Sequence, residues 1–391
     1  MKFQSLSLSE SLVVALQSIN IEDVRPIQQL VIPAAVAGRN LLVGSQTGSG
    51  KTLAYLLPIV ERLCAAPTSR ALILAPTREL VQQISTVASP LCEALSLSVA
   101  TIVGGVEYAP QREALATSPD IIVATPGRLI DLMKQGVAAV SSLSCFVLDE
   151  VDQMLDLGFR DSIIHLADLR SPDAQSLFFS ATLPDDVCSM ASSLCPNMEQ
   201  ITIEGESLSV EHVEQVGYFV SFAMMDHLLL HLLRVESAQH SIIFTRSRKM
   251  ADRVVGLLAE NSITAEAMHS DRSQAAREHI LARFRTGETS TIVATDVIAR
   301  GIDIDSVSHV FNFGLPQNAE QYIHRVGRCG RAGQAGRAIS LMTPDEKPML
   351  DSICRLMKRH VVLDNTHPYM TSDVGQALSG ALATKRTKKK R

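Results

Sequence analysis

Tryptophan is absent from the 391 residues, and aromatic side chains make up only 4% of them. A chain so poor in rings has no ready platform on which successive bases could stack, which excludes base-by-base reading as a main mode of nucleic-acid recognition. No apolar run approaches the roughly 20 residues that span a bilayer, so no membrane segment is expected. The N-terminal MKFQSLSLSESLVVAL lacks a basic stretch, apolar block and small-residue cleavage site, which predicts an intracellular protein, nuclear or cytoplasmic, rather than a secreted one. The cysteines (Cys64, Cys92, Cys145, Cys188, Cys195, Cys329, Cys354) include no C-x-x-C pair and no neighbouring histidine ladder, so neither a disulfide framework nor a zinc site is suggested. Excess positive charge is missing too. At a formal charge of −5, any polyanion must be held by local patches, and the obvious one, TKRTKKKR (Thr384 to Arg391), reads as a disordered basic tail.

What is present is 46% apolar and 20% charged residues, the balance of a folded chain with room for two or three cores. Short runs rich in Val, Ile and Leu recur between longer stretches of helical character: NLLVGS, RALILAPT, SVATIVGG, DIIVATP, LSCFVLDE and SLFFSAT. Apolar runs alternating with helices imply parallel strands buried on both faces, hence an α/β fold. The cadence restarts with SIIFTRS, TAEAMHS, STIVATD, HVFNFG and RAISLMT, after the polar IEGESLSVEHVEQV (Ile203 to Val216). This break predicts a first domain over residues 1–204, a linker over 205–212, a second domain over 213–364 and a tail over 365–391. In both sets polar or glycine residues follow directly on the apolar run, at the strand edge where open parallel sheets bind ligands. Two such rims facing one another would make a cleft.

SQTGSGKT (Ser45 to Thr52) follows NLLVG and precedes the helical LAYLLPIVERL. Strand, glycine loop and helix in this order make a phosphate cradle. Gln46, Thr47, Gly48, Ser49 and Gly50 turn backbone N–H groups toward the phosphates, Lys51 neutralises β- and γ-oxygens, and Thr52 offers a hydroxyl to magnesium. The first position of the usual pattern holds Ser45 instead of glycine, with Gly44 one place earlier, and a small residue there should fit. A metal and an attacking water also need carboxylates, and VLDEVDQMLD (Val147 to Asp156) crowds them behind an apolar run. Asp149 is placed to hold magnesium with Thr52, and Glu150 to orient and deprotonate the water attacking the γ-phosphate. Asp152 lies too far along to share that water. A hydrogen bond to the hydroxyl of Ser180 or Thr182 in SAT would let it report nucleotide state to the rest of the domain.

With these segments go APTREL (Ala75 to Leu80), GG (Gly104, Gly105), ATPGRL (Ala124 to Leu129), TDVIARGID (Thr295 to Asp303) and HRVGRCGR (His324 to Arg331). From Phe3 to about residue 345 the chain resembles a DEAD-box ATP-dependent RNA helicase of superfamily 2, with the name-giving tetrapeptide altered to Asp149-Glu150-Val151-Asp152. The resemblance implies two tandem RecA-like domains, each a parallel sheet covered by helices on both faces, with ATP and magnesium as cofactors. It makes NIEDVRPIQQ (Asn20 to Gln29) the adenine-reading segment: the Gln28 amide matches the N6 and N7 edge, Arg25 shapes the pocket, and Phe3 stacks on the base. Asn20 and Val24 depart from the glycine and proline usual there. Arg328 and Arg331, three apart and expected on one helical turn, become arginine fingers for a γ-phosphate held by the opposite domain. His324 would link this segment to the catalytic water, and Asp303 would contact the ribose.

For RNA the resemblance implies a grip on the sugar-phosphate backbone with little sequence preference. The first domain would supply Thr77, Arg78, Gly105, Thr125, Gly127 and Arg128; the second Thr245, Gln274, Arg277, Thr295 and Asp296, with Arg300 nearer the nucleotide. The expected function is RNA-stimulated ATP hydrolysis coupled to closure of the domains and local unwinding of short duplexes, by a monomer open to protein regulators. An ATP-gated RNA clamp or ribonucleoprotein-remodelling scaffold is the alternative, and TPGRL and SAT disfavour a DNA helicase. Val151 stands where the family has alanine; its two extra methyls beside the phosphate loop call for compensating neighbours rather than loss of activity.

Overall fold

The computed structural model describes residues 2–45, 48–66, 68–137, 143–202, 213–236, 238, 240–296, 307–330, 336–364, 366–372 and 374–375. The expected linker, the tail beyond residue 375, and Gln46, Thr47, Arg300, Asp303 and Arg331 lie outside these residues. The chain divides into two compact units, Met1–Gly205 and Glu206–Arg391.

In the first unit, β1 (Leu41–Gly44), β2 (Arg70–Leu74), β3 (Val99–Ile102), β4 (Ile121–Ala124), β5 (Leu143–Leu148), β6 (Arg170–Ser180) and β7 (Glu199–Thr202) form one sheet in the order β3-β4-β2-β5-β6-β1-β7. All its pairings are parallel. Its helices are α1 (Glu10–Ser18), α2 (Pro26–Val36), α3 (Lys51–Ala65), α4 (Arg78–Glu93), α5 (Ala109–Ala116), α6 (Pro126–Lys134), α7 (Val151–Asp156), α8 (Arg160–Ala167) and α9 (Asp185–Leu194). Because side chains alternate across a strand, an unbroken apolar run feeds two cores at once. In β5, Cys145 and Val147 pack into one cluster while Phe146 and Leu148 pack into the other.

The second unit repeats the plan. Strands β8 (Val213–Phe219), β9 (Ser241–Thr245), β10 (Ala265–Met268), β11 (Thr291–Thr295), β12 (His309–Phe313), β13 (Gly336–Met342) and β14 (Val362–Leu363) lie in the order β10-β11-β9-β12-β13-β8-β14, the first order shifted by seven. Here too all strands pair in parallel. Its helices are α10 (Met225–Val235), α11 (Arg248–Glu260), α12 (Gln274–Arg285), α13 (Ala319–Val326) and α14 (Lys347–Met357). The α/β class and helix-covered parallel sheets expected from the sequence are therefore found in both units. Each apolar run singled out in the sequence is a strand.

The sequence did not reveal β7, β8 and β14. β7 lies at the sheet edge and is largely exposed, so polar residues serve there as well as apolar ones. β8 begins inside the polar stretch that marked the break between domains: Val213 and Val216 are buried while Glu214 faces solvent. Among the described residues no helix is long and apolar enough to cross a membrane.

Candidate active site

Strand register brings the motifs together. Leu74 pairs with Leu148, Leu148 with Phe178, and Gly44 with Ser180, so β2, β5, β6 and β1 all end on one edge of the first sheet. Ser45, the first residue after β1, donates its N–H to Ser180 O at 2.9 Å. Its hydroxyl donates to Ser49 Oγ at 2.7 Å, so the serine that replaces glycine closes the phosphate loop on itself. Gly50 ends that loop with φ +98°, and a Cβ there would lie 2.7 Å from Gln28 Nε2 and 2.8 Å from Arg25 Cδ. Only glycine meets both demands.

Lys51 then opens α3 with its ammonium buried and without a hydrogen-bond partner among the described residues. An ammonium buried without a hydrogen bond is expensive even near the Asp149 carboxylate, and phosphate oxygens would supply the missing acceptors. Asp149, at the end of β5, accepts at Oδ1 from the Glu150 N–H and at Oδ2 from the Tyr55 hydroxyl, each at 3.0 Å. Burial pushes the Asp149 carboxyl above its usual range, while the Lys51 charge and the Tyr55 bond pull it back down. The Thr52 hydroxyl and Asp149 carboxylate are hard oxygen donors. No cluster of three or more His, Cys, Asp or Glu that could cage a metal occurs among the described residues. This donor set fits magnesium, which is held by one or two protein oxygens and completed by phosphates and water.

Glu150 sits in the left-handed region at φ +52°, ψ +57°, capping α7. A non-glycine residue there costs about 1–2 kcal/mol, a strain that persists where the surroundings over-determine it. Next along, Asp152 Oδ2 accepts from the N–H of Thr182 at 3.1 Å and its hydroxyl at 2.9 Å. The Asp152 N–H donates to Ser180 Oγ at 3.2 Å. α7 and the end of β6 are thus fastened by three bonds.

At the proposed adenine segment, Gln28 Oε1 accepts from the Arg25 N–H at 2.9 Å and Nε2 donates to Gly50 O at 3.1 Å. The Arg25 guanidinium donates to Gly48 O. Both side chains therefore hold the phosphate loop, and the amide keeps one N–H and one lone pair for a base edge. Asn20 adopts φ +58°, which explains how it replaces glycine: asparagine is among the few side chains that tolerate this region. Phe3 is 2% exposed and packs within the core, next to the bridge between Lys2 and Asp23.

The other half of the same edge carries the residues expected to meet RNA. Thr77 caps α4, accepting from the Leu80 N–H at 3.3 Å. Arg78 lies against Gly105, where a Cβ would meet Arg78 Nη1 at 1.8 Å and where φ is +72°. Thr125 and Gly127 occupy the first turn of α6 and its cap, with open space beside Gly127. Arg128 is mostly buried, donates to Val106 O, and stacks 3.6 Å from the centre of the Tyr108 ring.

In the second unit Thr245 and Thr295 are register partners at the ends of β9 and β11, but Thr245 is fully buried and its hydroxyl donates to Ser247 O at 3.2 Å. Asp296 is occupied as well: both carboxylate oxygens accept from Arg325, at 2.5 and 2.8 Å. In this arrangement Thr245 is buried, and each Asp296 oxygen has one donor and a lone pair left over. Gln274 starts α12 and donates to Glu278 Oε1 at 3.1 Å, and Arg277 is buried on the same helix. His324 lies in the last turn of α13. Arg328 does not, because the helix ends at Val326 with Gly327 as its cap. A turn carries Arg328 instead, its N–H donating to Arg325 O at 3.1 Å, and the side chain is buried. The shared helical turn assumed for Arg328 and Arg331 is thus corrected.

Residues 25–190 match the family model described as DEAD/DEAH box helicase, and residues 223–333 match that of the helicase conserved C-terminal domain. The chain is 37% identical over 358 residues to the DEAD-box ATP-dependent RNA helicase CshA of Bacillus licheniformis, a match covering 91% of this chain and 74% of that one. The chain belongs to the DEAD-box ATP-dependent RNA helicases. It is also 38% identical over 344 residues to the family member RhpA of Helicobacter pylori, covering 88% of this chain and 70% of the relative. Among solved structures, S. cerevisiae Dbp5 bound to RNA and ADP BeF3 superposes with a TM-score of 0.84 at 28% identity, covering 96% of this chain and 99% of that one.

Within this DEAD-box protein the variant residue Val151 is 1% exposed and packs in the core cluster with Leu148, Met154 and Ile163. It fills space. Val151→Ala is therefore expected to destabilise the fold by about 1–3 kcal/mol, read as a lower urea midpoint with little change in turnover. A rise in turnover would make the valine a brake instead. Two residues escaped the sequence reading. Tyr55 was legible as the third residue after Thr52, on the same helical face. Arg325, fully buried beneath Asp296 and Asn312, was overshadowed by its neighbours in HRVGR.

Proposed function

We propose that this DEAD-box protein hydrolyses ATP in response to RNA and separates short duplexes by closing its two units around both ligands. The observation that supports this best is the buried Lys51 ammonium, which has no partner among the described residues and stands beside Asp149 at the head of a helix. A triphosphate supplies the missing partners. Thr52 and Asp149 would hold magnesium, which when bound neutralises phosphate charge. Glu150 would orient the attacking water and take its proton, and Arg328 would reach the γ-phosphate once the units close. Arg25 and Gln28 would set the base against the loop they already hold. On the RNA side, Thr77, Gly105, Thr125 and Gly127 offer backbone and hydroxyl groups at one sheet edge, a chemistry that grips sugar and phosphate without reading bases.

If each ligand favours the closed arrangement, each must tighten the other by the same factor. The test measures ATP affinity with and without RNA, RNA affinity with and without a non-hydrolysable ATP analogue, and steady-state ATPase in both conditions. Equal coupling factors and a marked stimulation by RNA, but not by DNA of the same sequence, are expected. Comparable ATPase with and without RNA overturns the proposal.

A further inference from the structure

The Tyr55 side chain is fully buried, and its hydroxyl donates to Asp149 Oδ2 at 3.0 Å. Thr52 and Tyr55 lie three apart on α3 and therefore share a face. Phe179 on β6 fixes the ring, at 5.1 Å between centroids and 60° between planes. Packing alone does not call for the hydroxyl: a phenylalanine would fill the same volume without bringing a polar group into the core. The other Asp149 oxygen accepts from the Glu150 N–H, so each oxygen has one fixed donor and one lone pair left over.

We propose that Tyr55 is a positioning residue for magnesium, its hydroxyl clamping the Asp149 carboxylate in one rotamer before the metal arrives. The inference rests on the reading of Thr52 and Asp149 as metal ligands. Groups that orient a metal's ligands from behind are typically worth about 10- to 100-fold in metal affinity.

The experiment uses the full chain and a fluorescent ADP analogue, with free Mg²⁺ titrated over wild type and Tyr55→Phe. In the variant, analogue binding without Mg²⁺ should match wild type, while the Mg²⁺ concentration giving half the metal-dependent tightening should rise about 10-fold or more. An unchanged midpoint overturns the proposal, as does equal weakening with and without Mg²⁺, which a purely structural hydroxyl would give. A wild type whose nucleotide binding ignores Mg²⁺ removes the metal-ligand reading, and this inference with it. Should Tyr55→Phe fail to fold, wild type labelled at ¹³Cζ of its five tyrosines serves instead. Adding Mg²⁺ to the ADP-bound protein should shift the Tyr55 resonance, and an unmoved resonance overturns the proposal.

Discussion

Glu150→Gln should lower ATP turnover by about 10²–10⁴-fold while leaving ATP and RNA binding intact. The amide keeps the size of the carboxylate and can still orient water, but it cannot accept the proton that the attacking water must lose. Glutamine also suits the left-handed backbone at this position no worse than glutamate, so the strain at φ +52° is unchanged and the fold should persist. A protein that binds both ligands yet hydrolyses slowly ought to remain on RNA far longer. Single-turnover ATPase and RNA dissociation rates, measured together on the variant, check both halves. Unimpaired turnover would show that Glu150 is not the base, and lost ATP binding would show that its role is structural.

Arg328→Ala in the full chain should cost about 10³–10⁵ in ATP turnover, the range for an arginine that neutralises the transferring phosphate. The first unit carries Lys51, Thr52, Asp149 and Glu150, and both its core clusters are built from its own residues. A fragment ending at residue 204 keeps these residues but lacks Arg328 and the other site residues expected from the second unit, so it should be at least as slow as the variant. Arg328→Lys should recover little, since an ammonium lacks the planar fork of donors. If either the variant or the fragment turns over ATP like the intact chain, the second unit contributes no catalytic charge. Because Arg328 is buried in its own unit, the variant's urea midpoint must be measured alongside.

The sheets were legible because parallel strands covered on both faces are written as unbroken apolar runs, and a run such as LSCFVL has few other folds open to it. The phosphate loop was legible because glycine spacing and a following lysine encode a backbone shape. Exposed edges were not: β7 has no buried face to constrain its residues. The orientation of single side chains was harder still. Nothing in the sequence around Phe3 says that its ring is packed in the core beside the Lys2–Asp23 bridge. Arg328 looked helical because spacing says nothing of where a helix ends, which Gly327 determines. The Asp296–Arg325 pair was not legible because its members lie 29 positions apart.

The two sheets are one topology written twice, yet only one copy received the equipment for a nucleotide. After β1 comes SQTGSGKT, whereas VSFAMMD occupies the equivalent place after β8, with no glycine and no lysine. β5 runs into DEVD, whereas β12 runs into GLPQ, which has no carboxylate. One bound nucleotide per molecule is therefore the expected stoichiometry, which equilibrium binding of a non-hydrolysable ATP analogue to the full chain would count.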